Sequence, residues 1–188
     1  MRVIAGMRRG LILDGPDDQV TRPTSDRARQ VIFDVLAHAG WAAAHAIQDA
    51  VVLDGFAGTG AFGIEAMSRG AAHVTFMDHH SAAHRVLLKN LRRARFEDHS
   101  VVLKCDVTAP PRATRQVDIA FLDPPYGLNL LPLSITALIR SGWIGPDTLI
   151  LTESEKNMNS INAEPPLDLR KIGVAQISFW RGAQWKGI

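Results

Sequence analysis

The chain has 188 residues, 46% hydrophobic and 21% charged, with a formal net charge of +2. That composition suits one soluble domain with a sizeable core and excludes a disordered chain. No apolar run approaches the ~20 residues of a membrane span, the opening MRVIAGMRRG lacks the apolar core of a signal peptide, and the single cysteine, Cys105, excludes an internal disulfide framework and a cysteine-based zinc site.

A cytoplasmic protein is therefore expected. RVIAGMRRGLIL suggests a hairpin turning around Gly6 to Gly10, and DGPDDQVTRP reads as an irregular connection. From Thr24 the pattern turns helical, with Ala28, Val31, Ile32, Val35 and Leu36 on one face. Thr24 or Ser25 suits the N-cap, and Asp26 the first turn. Arg2, Arg8, Arg9, Arg22, Arg27 and Arg29 crowd this region; Lys89, Arg92, Arg93 and Arg95 form a second basic cluster. Either cluster fits a solvated surface or a polyanion contact.

Beyond residue 50 short apolar runs alternate with helical patterns. Runs 51–54, 74–78, 101–104, 119–123 and 148–153 are apolar on both faces, as in parallel strands covered by helices. AFGIEAMSRG predicts a helix ending at Gly70, Ser81 opens a second, and Leu131 to Ile139 carry a third. LRKIGVAQISFWRG predicts one or two further strands without an intervening helix. Such alternation implies a doubly wound α/β sheet. The polar stretch 155–166 reads as a loop.

VVLDGFAGTGAFG joins a strand, a glycine turn and a helix start. Gly58, Gly60 and Gly63 match the dinucleotide fingerprint, and Asp78 closes the next strand where a ribose-binding acid belongs, which fits an NAD-dependent oxidoreductase. Asp54, four residues ahead of Gly58, argues otherwise. A carboxylate there is unhelpful to a pyrophosphate and favourable to the amino group of S-adenosylmethionine. On that reading Gly58 and Gly60 let the backbone approach the donor, Asp78 takes the ribose hydroxyls and Asp106 faces the adenine amino group.

AFLDPPYG places Asp123, Pro124, Pro125 and Tyr126 at the end of the fourth strand. Ligands of open α/β sheets bind beyond strand carboxyl ends at the switch in strand order, so this segment and the glycine turn should share a crevice. Both prolines lack an N–H and fix φ. The segment therefore presents acceptors beside an aromatic ring, suited to the exocyclic amino group of a base. Guanine N2, adenine N6 and cytosine N4 all fit that description. The histidines lack ligand spacing, because adjacent side chains such as His79 and His80 should diverge; no metal is expected. The tryptophans read as packing residues and Cys105 as a strand-end residue.

RVIAGMRRGLIL, RPTSDRARQVIFDVL, LDGFAGTGAFGIEAMSRGA, FLDPPY and LTESE together resemble the RsmD-type small-subunit rRNA (guanine-N2) methyltransferases over nearly the whole chain. The resemblance implies a Rossmann-like methyltransferase fold with a mostly parallel seven-stranded sheet and an N-terminal hairpin and helix extension. It implies S-adenosylmethionine as donor, with Asp54, Gly58, Gly60 and Asp78 around it. It implies one guanine of 16S rRNA as acceptor, held by Asp123, Pro124, Pro125 and Tyr126. The substrate would be a partly assembled small subunit, engaged through Arg8, Arg9, Arg22 and Arg27 by a monomer. One methyltransferase domain is expected, made of an arm (1–23), a helix and linker (24–50) and a catalytic core (51–188). Two features depart from the family: MDHH stands where a glutamate is frequent, and no long basic tail follows FWRGAQWKGI.

Overall fold

The computed structural model describes residues 1–15, 26–155, 162 and 164–185, with backbone only for 43–45. Seven strands form one sheet: β1 (Val51–Gly55), β2 (His73–Met77), β3 (Ser100–Leu103), β4 (Ile119–Leu122), β5 (Leu149–Glu155), β6 (Asp168–Ile172) and β7 (Ala175–Arg181). Their order is β3-β2-β1-β4-β5-β7-β6. The first five run parallel, and β7 is antiparallel to both β5 and β6. The strand order reverses between β1 and β4, so the crevice opens there.

The central strands are buried on both sides, which is why they read as unbroken apolar runs rather than alternating ones. Three helices cover one face: α1 (Asp26–His38), α2 (Ala61–Ser68) and α3 (Ser81–Ala94). Their Ile32, Phe62 and Leu87 pack with Val52, Phe121 and Leu151. α4 (Leu130–Arg140) covers the other face, where Leu131 and Ile135 meet Leu53, Leu122 and Ile150. Three tryptophans, Trp143, Trp180 and Trp185, are buried on the α4 side. Trp41 meets Phe179 edge-on at 5.4 Å on the other.

One sequence expectation changes. The buried stripe of α1 is Ala28, Arg29, Ile32, Phe33 and Leu36, so Val31 and Val35 lie at its margin. Phe33 turns the helix inward by stacking on Phe62 at 5.2 Å, and Arg29 reaches the Arg2 carbonyl at 2.7 Å. The proposed caps Thr24 and Ser25 lie outside the described residues. The expected N-terminal hairpin is present: Arg2 bridges Ile12, and the Val3, Gly10 and Leu13 N–H groups donate to the Leu11, Val3 and Met1 carbonyls at 2.9, 2.9 and 3.0 Å around a short 3₁₀ turn at Gly6–Arg8. The N–H groups near its turn bond to α2 instead. Ile4 and Ala5 donate to the two oxygens of Glu65 at 2.7 and 3.0 Å, and Arg8 donates to Ser68 Oγ at 2.9 Å. Gly6 lies so close to α2 that a Cβ would fall 1.8 Å from the Ser68 carbonyl oxygen.

Two members of the second basic cluster serve this arm. Lys89 and Arg93 pair with Asp14 at 2.6 and 2.7 Å, and these partners hold the Asp14 carboxyl below its usual range. Asn90, fully buried between them, accepts the Asp14 N–H at 2.8 Å. Its amide donates to the Asp14 carbonyl at 3.1 Å and to the Thr59 carbonyl at 3.0 Å. The arm is thereby tied to the glycine turn through one side chain. Asn90→Ala removes three hydrogen bonds at a buried position and should cost about 2–3 kcal/mol in urea unfolding. A loss within 0.5 kcal/mol, roughly that of a surface change, would show that the tie is not structural.

Candidate active site

The glycine turn follows β1 directly. Gly60 caps α2 with φ +79°, and a Cβ there would strike Leu87 at 2.2 Å, so backbone shape and packing both require glycine. Gly58 differs. Its φ is +54°, and beyond its two chain neighbours a Cβ would meet only the Phe56 carbonyl at 3.9 Å. The backbone at Gly58 is open to a ligand, whereas Gly60 faces the core.

Asp54 lies under this turn and is buried. One of its oxygens accepts the Gly63 N–H of α2 at 2.9 Å. Burial pushes its carboxyl well above the ordinary range, the Gly63 N–H opposes that, and the charges of Asp123 and Asp78 add to the rise. A buried carboxylate that resists ionisation is suited to a cationic neighbour, which would restore its charge. The sign of its stability effect follows. A raised folded pKa favours the folded state at low pH, and the gain is lost as pH rises from the unfolded value of 3.8 through the folded one. Asp54→Asn should therefore raise Tm at neutral pH, and the difference should shrink as pH falls toward the unfolded value. Melting curves across pH test this; an Asn variant less stable than wild type at pH 7 would contradict it.

Asp78 follows β2 and is nearly buried. Its Oδ2 accepts the Gly58 N–H at 2.9 Å and its Oδ1 the His80 N–H at 2.8 Å. Asp106 stands exposed after β3, with Oδ1 accepting both the N–H and the hydroxyl of Thr108 at 2.8 Å, which lowers its pKa. All three acids sit at the carboxyl ends of adjacent strands.

β4 brings in the fourth acid. The Asp123 N–H donates to the Gly55 carbonyl at 3.5 Å, which joins the D-P-P-Y segment to the end of β1. Asp123 is half-buried, Pro124 buried, and Pro125 and Tyr126 exposed. The Tyr126 hydroxyl donates to Glu153 Oε1 at 3.4 Å. Sequence reading passed over Glu153, although it carries the same signal as Asp54 and Asp123: an acid at the carboxyl end of an apolar strand. It is 6% exposed.

The histidines need a correction. His79 and His80 do not diverge; their rings lie 3.8 Å apart, and with Asp78 they bring three ligand atoms within 4.8 Å. They follow the strand end, where strand alternation no longer separates neighbours. Both Asp78 oxygens nevertheless accept backbone N–H groups, so the cluster acts as a loop clamp.

Of the arginines singled out for RNA, Arg9 and Arg27 are exposed. Arg8 is engaged by the protein itself: its Nε donates to the Ala94 carbonyl at 2.6 Å, and its guanidinium lies over Phe96 at 5.3 Å. Arg22 lies outside the described residues. Among the described residues no helix is long and apolar enough to cross a membrane. Cys105 is half-buried, and burial raises its thiol pKa.

The chain is similar to known methyltransferases. Residues 1–181 match the family described as Conserved hypothetical protein 95. A protein of Escherichia coli strain K12 named ribosomal RNA small subunit methyltransferase D is 37% identical over 188 residues, covering 98% of this chain and 91% of that one. A Haemophilus influenzae protein of the same name is 33% identical over 183 residues, covering 95% and 91%. Among solved structures, a putative methyltransferase from Escherichia coli superposes with a TM-score of 0.80 at 32% identity, covering 98% and 99%. An RNA methyltransferase from Salinibacter ruber, solved with S-adenosyl-L-homocysteine, shares the fold with a TM-score of 0.65 at 13% identity, covering 85% and 93%.

Proposed function

Because the chain belongs to the Conserved hypothetical protein 95 family, the family of the small-subunit rRNA methyltransferase D proteins, we propose that it transfers a methyl group from S-adenosylmethionine to the N2 amino group of one guanine in 16S rRNA. The observation that carries this reading is the meeting of the glycine turn and the D-P-P-Y segment at neighbouring strand ends, joined by the Asp123–Gly55 hydrogen bond. When bound, S-adenosylmethionine supplies a methyl group on a sulfonium centre. The open backbone at Gly58 and the buried Asp54 beneath it fit that group.

Each acid then has a task. Asp54 faces the amino-acid end of the donor. Asp78 accepts the ribose hydroxyls while its backbone partners hold it still. Asp106 takes the adenine end. On the acceptor side, Asp123 Oδ and the Pro124 carbonyl accept the two hydrogens of N2. That turns the nitrogen lone pair, otherwise delocalised into the ring, toward the methyl group. Pro125 stiffens the segment and Tyr126 stacks on the base once it has left its helix or loop. As the carbon–nitrogen bond forms, the methyl carbon–sulfur bond breaks and S-adenosylhomocysteine leaves, while N2 gives up one proton to Asp123. Placement supplies most of the rate. Arg9 and Arg22 of the arm and Arg27 of α1 contact the RNA, in a partly assembled subunit, and Arg8 fixes the arm.

Mass spectrometry of rRNA nucleosides from a strain lacking the gene tests the reading. One N2-methylguanosine should disappear from 16S rRNA. Loss of N6-methyladenosine or N4-methylcytidine instead would change the base. Calorimetry tests the donor: the protein should bind S-adenosylmethionine, and tight NAD binding in its place would overturn the reading.

A further inference from the structure

We propose that Glu153 selects guanine, by accepting the hydrogen on ring nitrogen N1 beside the reacting amino group. The D-P-P-Y segment alone does not choose a base. It offers acceptors to an exocyclic amino group, and three bases have one. What separates them is the adjacent ring nitrogen. Guanine carries a hydrogen on N1, next to N2. Adenine has an acceptor at N1, next to N6, and cytosine an acceptor at N3, next to N4. A fixed carboxylate at that spot attracts guanine and repels both others.

Glu153 stands where such a group is needed. β4 and β5 run parallel, with Leu122 opposite Thr152. One residue further along, Asp123 and Glu153 come level on adjacent strands, which lie about 4.8 Å apart. The Asp123 N–H still bonds to the Gly55 carbonyl and Pro124 keeps Asp123 extended, so the alternation of β4 carries to Asp123 and both side chains point the same way. Phe121 and Leu151, two residues earlier, belong to the same buried cluster on the α1–α3 face, as does Val52, two residues before Asp54. The acids of β1, β4 and β5 thus line one side of the crevice. The Tyr126 hydroxyl donates to Glu153 Oε1, so the ring assigned to stacking and the acid assigned to N1 hold each other. Burial matters to the chemistry. A site built to hydrogen-bond a substrate N–H rejects analogues lacking it, because its own polar group is left without a partner.

The inference rests on the proposed guanine reaction, and its test separates the two. Small subunits are assembled with the target guanine of 16S rRNA replaced by 2-aminopurine, which keeps the N2 amino group and turns N1 into an acceptor. The full-length wild-type enzyme should disfavour 2-aminopurine by about 100-fold in kcat/KM. Glu153→Gln offers an amide N–H to an N1 acceptor, so the preference should collapse to within about threefold, mostly through slower guanine methylation. Equal use of the two bases by wild type would overturn the inference without any variant. An unchanged preference in a folded Glu153→Gln enzyme, with normal melting and donor binding, would overturn it too. If wild type formed no N2-methylguanosine on the natural subunit, the proposed function itself would fall, and this inference with it.

Discussion

Asp123→Ala should lower kcat by about 1,000-fold while leaving the affinity for S-adenosylmethionine close to that of wild type. The split follows from where Asp123 stands. Its backbone anchors the D-P-P-Y segment to β1 through Gly55, and alanine keeps that N–H. In the proposed reaction its carboxylate serves the acceptor amino group. Without it, one N2 hydrogen has no partner and the lone pair stays conjugated with the ring. The loss therefore belongs to the transition state rather than to ground-state binding. Single-turnover methyl transfer with tritiated donor measures it, and calorimetry checks the donor. Full activity would remove Asp123 from the mechanism. A large loss of donor affinity would instead assign it to the donor site.

Asp78→Ala is expected to act in the opposite way, weakening S-adenosylmethionine by about 100-fold or more, as loss of two hydrogen bonds to a charged group implies. Part of the effect is indirect. The Asp78 carboxylate holds the Gly58 N–H and the His80 N–H, so its removal also loosens the glycine turn. Asparagine is no conservative replacement here. Both oxygens accept from backbone N–H groups, and an amide NH₂ would set donor against donor on one side. Asp78→Asn should therefore bind the donor nearly as poorly as Asp78→Ala. An asparagine variant with near-normal affinity would show that the ribose contact, and not the clamp, dominates.

Much of the site was legible because each acid closes an apolar run. A strand buried on both faces tolerates a carboxylate only where the strand ends, so Asp54, Asp78 and Asp123 marked the crevice rim before any coordinates. Glu153 carried the same mark. It escaped notice because the polar stretch after it reads as loop, and nothing in the sequence sets it beside Asp123. The α1 face was misplaced for another reason. Arginine counts as polar in a helical pattern, yet Arg29 is fully buried with partners on Asp26 and Arg2. Glu65 and Asn90 escaped likewise: buried polar residues on helices show no period of their own, and their partners in the arm, Ile4, Ala5 and Asp14, lie 60 or more residues away along the chain.

The amino-acid sequence by itself determined the strand–helix alternation, the glycine turn, the acceptor-rich D-P-P-Y segment and the family. These depend on local periodicity and on residue types that nothing else in the chain can replace. Only the tertiary structure decided the insertion of β7 between β5 and β6, the docking of the arm on α2 and α3, the role of Lys89 and Arg93 as partners of Asp14, and the pairing of Glu153 with the D-P-P-Y segment. Those features depend on which strands and helices become neighbours, and neighbours far apart in the chain are chosen by packing of the whole sheet rather than by any short stretch of it.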